Sequence, residues 1–343
     1  MNKNLEWYSI RWRTISLVIL SLLIVVGYGF CRLRFVLMPP SMGSGPAGPT
    51  VSSGPFEKIW TQRKVVLIGV GDSITNGFGA PEGLGYFELL QSNHDDVCRD
   101  MQHKDLKTVL PNLTAYNYSQ DYTVTQEHLD KQLPRLKTFA EDIFGIIVIT
   151  SGGNDLIHDY GRTPPRDGAM YGCTYQQGVV WTENAKQRIK RLLDGLMQKF
   201  PGGCEIFLAN IYDPTDGVSD PQNAGLPAWP DGSRVLSLMN QKIAELCREY
   251  ENVHLVDIHS PFLGHGIHCR DFWSKHYQKD DPHYWYYTNL EDPNPRGYDA
   301  IRRTFLLEMI KVLPDVLEPK VRTLKMGRTI QPACGAEKPR IVN

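Results

Sequence analysis

The chain has 343 residues, 41% of them hydrophobic and 22% charged, which is length enough to bury one large core or two modest ones. Its formal net charge is −1, so the basic excess that marks nucleic-acid binding is missing and no nucleic-acid partner is expected. No internal repeat or heptad pattern is evident.

The first element is apolar. Thr14 to Phe30, TISLVILSLLIVVGYGF, is preceded by Lys3, Arg11 and Arg13 and followed by Arg32 and Arg34. It reaches the lower limit of about 17 residues for a spanning helix. No small-x-small cleavage pattern follows it, so residues 1–38 read as an uncleaved signal anchor, with a cleaved signal peptide as the competitor. Cations on both flanks weaken the positive-inside rule, and an N-in, C-out arrangement is preferred. The expectation is a single-pass, membrane-anchored protein with an extracytoplasmic body. Residues 39–55 are rich in Pro, Gly and Ser and read as an uncharged linker. The globular domain is expected over 56–319, with a basic tail over 320–343.

Strands and helices then alternate. Val65–Val70 is a short, wholly apolar run, the mark of a parallel strand covered on both faces. A helix over Phe87–Met101 and a strand over Ala115–Tyr118 follow, and then a second buried strand, Gly145–Thr150, which runs into a glycine pair. Thr182–Phe200 carries apolar residues at 189, 192, 193, 196 and 197, helical spacing that Pro201-Gly202-Gly203 ends. CEIFLANIY is a strand, Ser233–Tyr250 a helix, VHLVDI a strand, and Gly297–Leu313 the last helix. This order predicts an α/β domain with a parallel sheet, whose ligands bind beyond the C-terminal strand ends. Ser73, Gly152-Gly153-Asn154 and Asp213 all follow strands and are expected at that edge.

A serine there is chemically suggestive. Its hydroxyl needs a base before it becomes a nucleophile, and the oxyanion it creates needs donors already in place. GDS at 71–73 also reads as a plain strand-to-helix turn, with Asp72 or Ser73 as the cap. TSGGNDL places a second candidate, the Asn154 amide, at the same edge; its bland reading is an Asn-Asp turn.

Together the two stretches resemble the SGNH (GDSL-type) hydrolases. GDSIT with Ser73 is similar to the family's first block, whose serine is the nucleophile and a backbone oxyanion donor. GGND, Gly152 to Asp155, is similar to its third block, whose asparagine is an oxyanion donor. The resemblance covers roughly residues 64–313. It implies a three-layer α/β/α sandwich of flavodoxin-like type, a serine esterase or acyl hydrolase acting on an acyl ester of a lipid or carbohydrate, and no cofactor or metal.

Two departures stand out. The second block, an asparagine followed closely by a glycine donor, falls at YNYSQDYTVT. Asn117 fits, but no glycine follows, leaving the backbone N–H of Asp121 or Tyr122 as donor. The fifth block, ordinarily D-x-x-H-P-N, falls at NLEDPNPRG, with Asn289 at the acid position and Asp292 at the base position. A carboxylate of ordinary pKa, about 3.9, is a weak base toward serine. An imidazole from elsewhere is the alternative: His265, in a Gly-His-Gly stretch that reads as exposed, or His283, in DDPH beside four aromatic residues. Each also reads as an ordinary loop histidine. Asp292 stays as an orienting acid or a base of raised pKa.

Other signals carry less. Seven cysteines without a CxxC pair argue against zinc-ribbon or redox motifs, and disulfides among the last six are left open. Asn112 and Asn117 sit in glycosylation sequons. Asp213, Asp216 and Asp220 lack the spacing of an EF-hand and read as a solvated turn. Two rival functions remain. The altered fifth block motivates a catalytically impaired member that binds or scaffolds. A metal-dependent phosphodiesterase would use His265, His268 and aspartates.

Overall fold

The computed structural model describes residues 3–318; the basic tail expected over 320–343 lies outside the described residues. Helix α1, Lys3–Cys31, continues as a π-helical segment through Leu37. Arg11–Leu37 is long and apolar enough to cross a membrane, and its most apolar window is not buried.

The body is built on five parallel strands: β1 (Lys64–Gly71), β2 (Leu113–Asn117), β3 (Ile143–Thr150), β4 (Cys204–Ala209) and β5 (Val253–Val256), in the order β2-β1-β3-β4-β5. β1 and β3 are buried along nearly their whole length, as their largely apolar runs demand, whereas β2 at the edge is only half-buried. Alternate residues of β1 feed the two faces. Val65 and Leu67 pack with α2 (Tyr86–Gln91) and α3 (Pro295–Leu317), while Val66, Ile68 and Val70 pack with α4 (Tyr175–Met197) and α5 (Gly232–Cys247). The result is the three-layer α/β/α sandwich. The order reverses between β1 and β3, which places the ligand-binding crevice at their C-terminal ends.

Some boundaries differ from the sequence reading. The helix expected over 87–101 stops at Gln91. Asn93 then leaves the helical path, its backbone N–H donating to Asp105 Oδ2 (2.9 Å) and its side chain to the Cys98 carbonyl (3.0 Å). Helix α4 starts seven residues earlier than expected, because Thr174 and Gln177 form a reciprocal capping box.

The segment expected as a free linker is packed along the body. Ala47 and Val51 are buried. The Arg296 guanidinium donates to the carbonyls of Met42 (3.3 Å), Ser44 (3.1 Å) and Pro46 (3.1 Å), and Tyr284 N donates to Ser41 O (2.9 Å). A Pro/Gly chain has no periodic apolar face, but its bare carbonyls are good acceptors for a buried guanidinium. The six described cysteines are free thiols, five of them buried; Cys334 lies outside the described residues.

Candidate active site

Ser73 is carried on the turn that leaves β1. Gly71 has φ +138°, and a Cβ there would collide with the Thr150 carbonyl, so only glycine lets β1 run this close to β3 at the site. Asp72 caps the short helix Ser73–Asn76, its Oδ1 accepting from Ile74 N (3.2 Å) and from Thr150 Oγ1 (2.6 Å). A hydroxyl chain continues from Thr150 to Thr75 (2.7 Å) and on to Tyr86 (2.6 Å), locking the turn to β3 and α2. Asp72 is buried, and burial, with Asp292 adding to it, raises its carboxyl to about 7.

Asn154 sits on the next turn over, in the helix Gly153–Ile157 after β3. Its side-chain Nδ2 donates to the Thr123 carbonyl (3.0 Å). The adjacent Asp155 carboxylate, fully buried, accepts from Thr125 N (2.8 Å), Thr125 Oγ1 (2.6 Å) and Arg188 Nη2 (3.1 Å). The loop after β2 is therefore clamped onto the Asn154 turn from two sides. In that loop Tyr122 takes φ +63°, the left-handed conformation that glycine would adopt at no cost. Asn117 is occupied at the end of β2, donating to Thr75 O (2.9 Å), and Asn112 donates to Gln62 O (2.8 Å).

Ser73, Asp72 and Asn154 line one cavity. Its other walls are largely apolar, with Leu156, Ile157, Tyr171, Trp229 and Leu236 among them. Tyr160, Leu290 and Glu291 close one side, Tyr160 OH hydrogen-bonding the Glu291 carboxylate and Tyr212 OH the Glu291 carbonyl.

Asp292 comes in from the late loop and is buried. Its Oδ2 accepts from Asn289 Nδ2 (2.6 Å), while its own N–H donates to Asn289 Oδ1 (3.2 Å). Oδ1 is buried with no hydrogen-bond partner among the described residues. Burial raises the carboxyl above its ordinary range and Asp121 adds to the rise, whereas the facing Ser73 hydroxyl and the Asn289 amide oppose it. Ser73 and Asp292 are thus neighbours without a fully formed hydrogen bond.

The two candidate histidines are engaged elsewhere, and neither lines the Ser73 cavity. His265 is 4% exposed, not open as the Gly-His-Gly stretch suggested. Its ring stacks on Trp285 at 3.5 Å, Nδ1 meets the His283 carbonyl at 2.9 Å, and burial lowers it to about 4. His283 Nδ1 pairs with Asp281 Oδ1 (2.6 Å), whose other oxygen takes Arg296 (2.6 Å). The aromatic loop buries His265 against Trp285, whereas His283 stays half-buried and is held by Asp281.

Sequence reading overlooked His128. It is fully buried, with Nε2 on Thr123 Oγ1 (3.1 Å) and Nδ1 on Ser151 Oγ (2.9 Å), and burial lowers it to about 4. Gln132 was overlooked as well; it brackets Gly71, accepting from its N–H (2.9 Å) and donating to its carbonyl (2.7 Å). Neither sits in a motif. The aspartates of the 213–220 turn brace loops: Asp213 caps its own turn, and Asp216 accepts from Gly264 N (2.8 Å), Gly266 N (2.8 Å) and His268 N (2.9 Å). Among the described residues no three or more His, Cys, Asp or Glu side chains are gathered as a metal site would need.

A turn-borne serine, an asparagine on the neighbouring strand's turn and a late-loop acidic residue come together at the switch point of a parallel sheet. The model of the GDSL-like lipase/acylhydrolase family matches residues 70–300, and the chain belongs to that family. No curated protein matches the chain. Solved structures similar to it include a lipase, Lip_vut3, from a goat rumen metagenome (15% identity, 73% of this chain and 100% of that one, TM-score 0.43). An extracellular lipase from Streptomyces rimosus is similar at 14% identity (71% and 98%, TM-score 0.43). An acetyl xylan esterase from Geobacillus stearothermophilus is similar at 15% (73% and 95%, TM-score 0.42).

Proposed function

We propose that the protein is a membrane-anchored acyl-ester hydrolase in which Ser73 is the nucleophile and Asp292, not a histidine, accepts its proton. One observation carries this reading: the unpartnered Oδ1 of a buried carboxylate, on a residue facing the hydroxyl of Ser73, which itself lines the cavity together with Asn154. Desolvation makes a carboxylate a stronger base, which offsets the weakness of aspartate at this position.

Attack of Ser73 Oγ on the acyl carbonyl forms the new C–O bond while its proton passes to Asp292. The Asn154 amide and the backbone N–H groups of Ser73 and Tyr122 hold the oxyanion. Ser73 is the first residue of its helix, where an amide has no intrahelical partner. Collapse expels the alcohol, which takes the proton back from Asp292. Water, deprotonated by the same carboxylate, then cleaves the acyl-serine and releases the acid. Asn289 holds Asp292 in place as the acid of a conventional dyad holds its histidine. The largely apolar cavity wall suits an acyl chain rather than a highly charged substrate.

The test is fluorophosphonate labelling of the full chain in detergent, beside Ser73→Ala and Asp292→Asn. Labelling that disappears in Ser73→Ala and falls steeply in Asp292→Asn supports the proposal. Labelling equally negligible in all three overturns it in favour of a catalytically impaired, ligand-binding member, the reading that the aspartate at the base position favours. Labelling lost in Ser73→Ala but unchanged in Asp292→Asn would move the proton acceptor away from Asp292.

A further inference from the structure

We infer that the Phe272–Trp273 turn, with Arg270 beside it, is a second membrane contact that seats the body on the lipid surface next to its anchor. The inference rests on α1 crossing the bilayer, and it adds a face of the globular domain that the helix alone does not imply.

The first observation is exposure. Phe272 and Trp273 are 68% and 63% exposed, and their rings pack edge to face at 4.9 Å. Such a pair costs solvation in water, and aromatic side chains of this kind gather at membrane interfaces. The second is continuity with the anchor. Trp273 packs on Phe35 (5.4 Å), inside the apolar helical stretch Arg11–Leu37, and Arg270 Nη2 donates to the Met38 carbonyl (2.6 Å) immediately after it.

Length sets the depth. The bilayer hydrocarbon is about 30 Å thick and takes about 20 helical residues, so the 27-residue stretch is longer than it needs. The apolar run from Thr14 to Phe30 fills the hydrocarbon, which leaves Arg32, Arg34 and Phe35 at the headgroup level. Trp273, touching Phe35, lies at that level too. The third observation is charge. Arg32, Arg34 and Lys275 are exposed, and Arg34 and Arg270 are close enough to repel. The nearest acid, Asp271, is committed to His268 (2.7 Å). Lipid phosphates would relieve that repulsion, whereas water and salt only screen it. A cleft lined by Phe35, Met38, Trp273, Tyr284 and Tyr287 continues from this patch along the body. Tyr287 at its far side donates its N–H to the Asp292 carbonyl (2.6 Å), so the membrane-facing loop and the loop bearing Asp292 are one continuous structure.

The experiment uses the full chain in nanodiscs of phosphatidylcholine with a minor share of phosphatidylglycerol, made with and without bromine on the acyl chains near the headgroups. The emission of Trp273 is the difference between the wild type and Trp273→Phe; that of Trp12, at the start of the apolar stretch, is the difference from Trp12→Phe. Circular dichroism checks that both variants fold. The expected result is that bromine removes about half of the Trp273 emission, as it does for Trp12. Quenching of Trp12 with none of Trp273 overturns the docking and leaves the anchor standing. Quenching of neither overturns both. Activity is not part of the readout, so failure of the hydrolase proposal is seen separately.

Discussion

Asn289 and Asp292 bond to each other twice, amide to carboxylate at 2.6 Å and backbone N–H to amide oxygen at 3.2 Å. The pair fixes a carboxylate and an amide three residues apart in the late loop. Leu290 between them adopts φ +69°, so the turn accepts a left-handed residue to keep Asp292 aimed at Ser73.

If Asp292 is the proton acceptor, Asp292→Asn should lower kcat for a soluble ester by about 10²–10⁴-fold. The base works only when ionised, and its pKa is raised above the ordinary carboxylate range. Activity should therefore rise with pH through that elevated value and vanish below it. Replacing the pair as Asn289→Asp with Asp292→His should restore activity, its acid limb now falling near the imidazole value of about 6.5. A pH–rate profile whose acid limb is the same in the wild type and the double variant would count against Asp292 as the base.

Asn154→Ala removes a buried side-chain donor at the cavity. If that amide stabilises the oxyanion, kcat should fall by about 10²–10³-fold with KM little changed. The cost to folding should be about 1–3 kcal/mol, because the buried Thr123 carbonyl loses its donor. Steady-state kinetics beside urea unfolding separate the two effects; a rise in KM alone would make Asn154 a binding group.

Much of this site was legible in the chain because strand and turn signals are local. The apolar run 65–70 ending in Gly-Asp-Ser and the run 145–150 ending in Gly-Gly-Asn each announce a buried strand and its turn, and the sheet then brings the two turns together. What escaped is long-range. Whether His265 is open or stacked on Trp285 depends on packing between positions 20 residues apart in the chain. His128 and Gln132 serve the site only because their segment folds beneath Gly71. The docking of residues 41–51 was hidden for a different reason, since carbonyl groups, which every residue has, make the contact.

Arg296 is the pin for that docked segment. It is 8% exposed, bonds three carbonyls across positions 42–46 and pairs with Asp281. Arg296→Ala should free the segment and leave Asp281 without its cation, costing about 2–4 kcal/mol, less than a fully buried pair because Asp281 is partly solvated. Limited proteolysis of the full chain should then cut within 41–55 far faster than in the wild type. Unchanged cleavage would show that Ala47 and Val51 hold the segment unaided.

Asp72 gives the body a pH dependence of the opposite sense to the usual acidic residue. Its folded carboxyl titrates near 7, against 3.8 in the unfolded chain. Between those values the folded protein holds a proton that the unfolded chain has released, so stability falls as pH rises through that window. The whole difference is on the order of 4 kcal/mol, complete once pH exceeds the folded value. Asp72→Asn keeps an oxygen for Ile74 N and Thr150 Oγ1 while removing the charge, so it should flatten the dependence. It should also leave the variant more stable than the wild type above about pH 7. The neighbouring Asp292 sharpens the test, because its charge contributes to the rise at Asp72. In Asp292→Asn the Asp72 transition should move toward lower pH. Urea unfolding measured from about pH 4 to pH 8 on the three proteins checks the order. A wild-type stability that is flat or rising across the window would mean that Asp72 is ionised throughout, and that the two carboxylates beside Ser73 do not share the strain of burial.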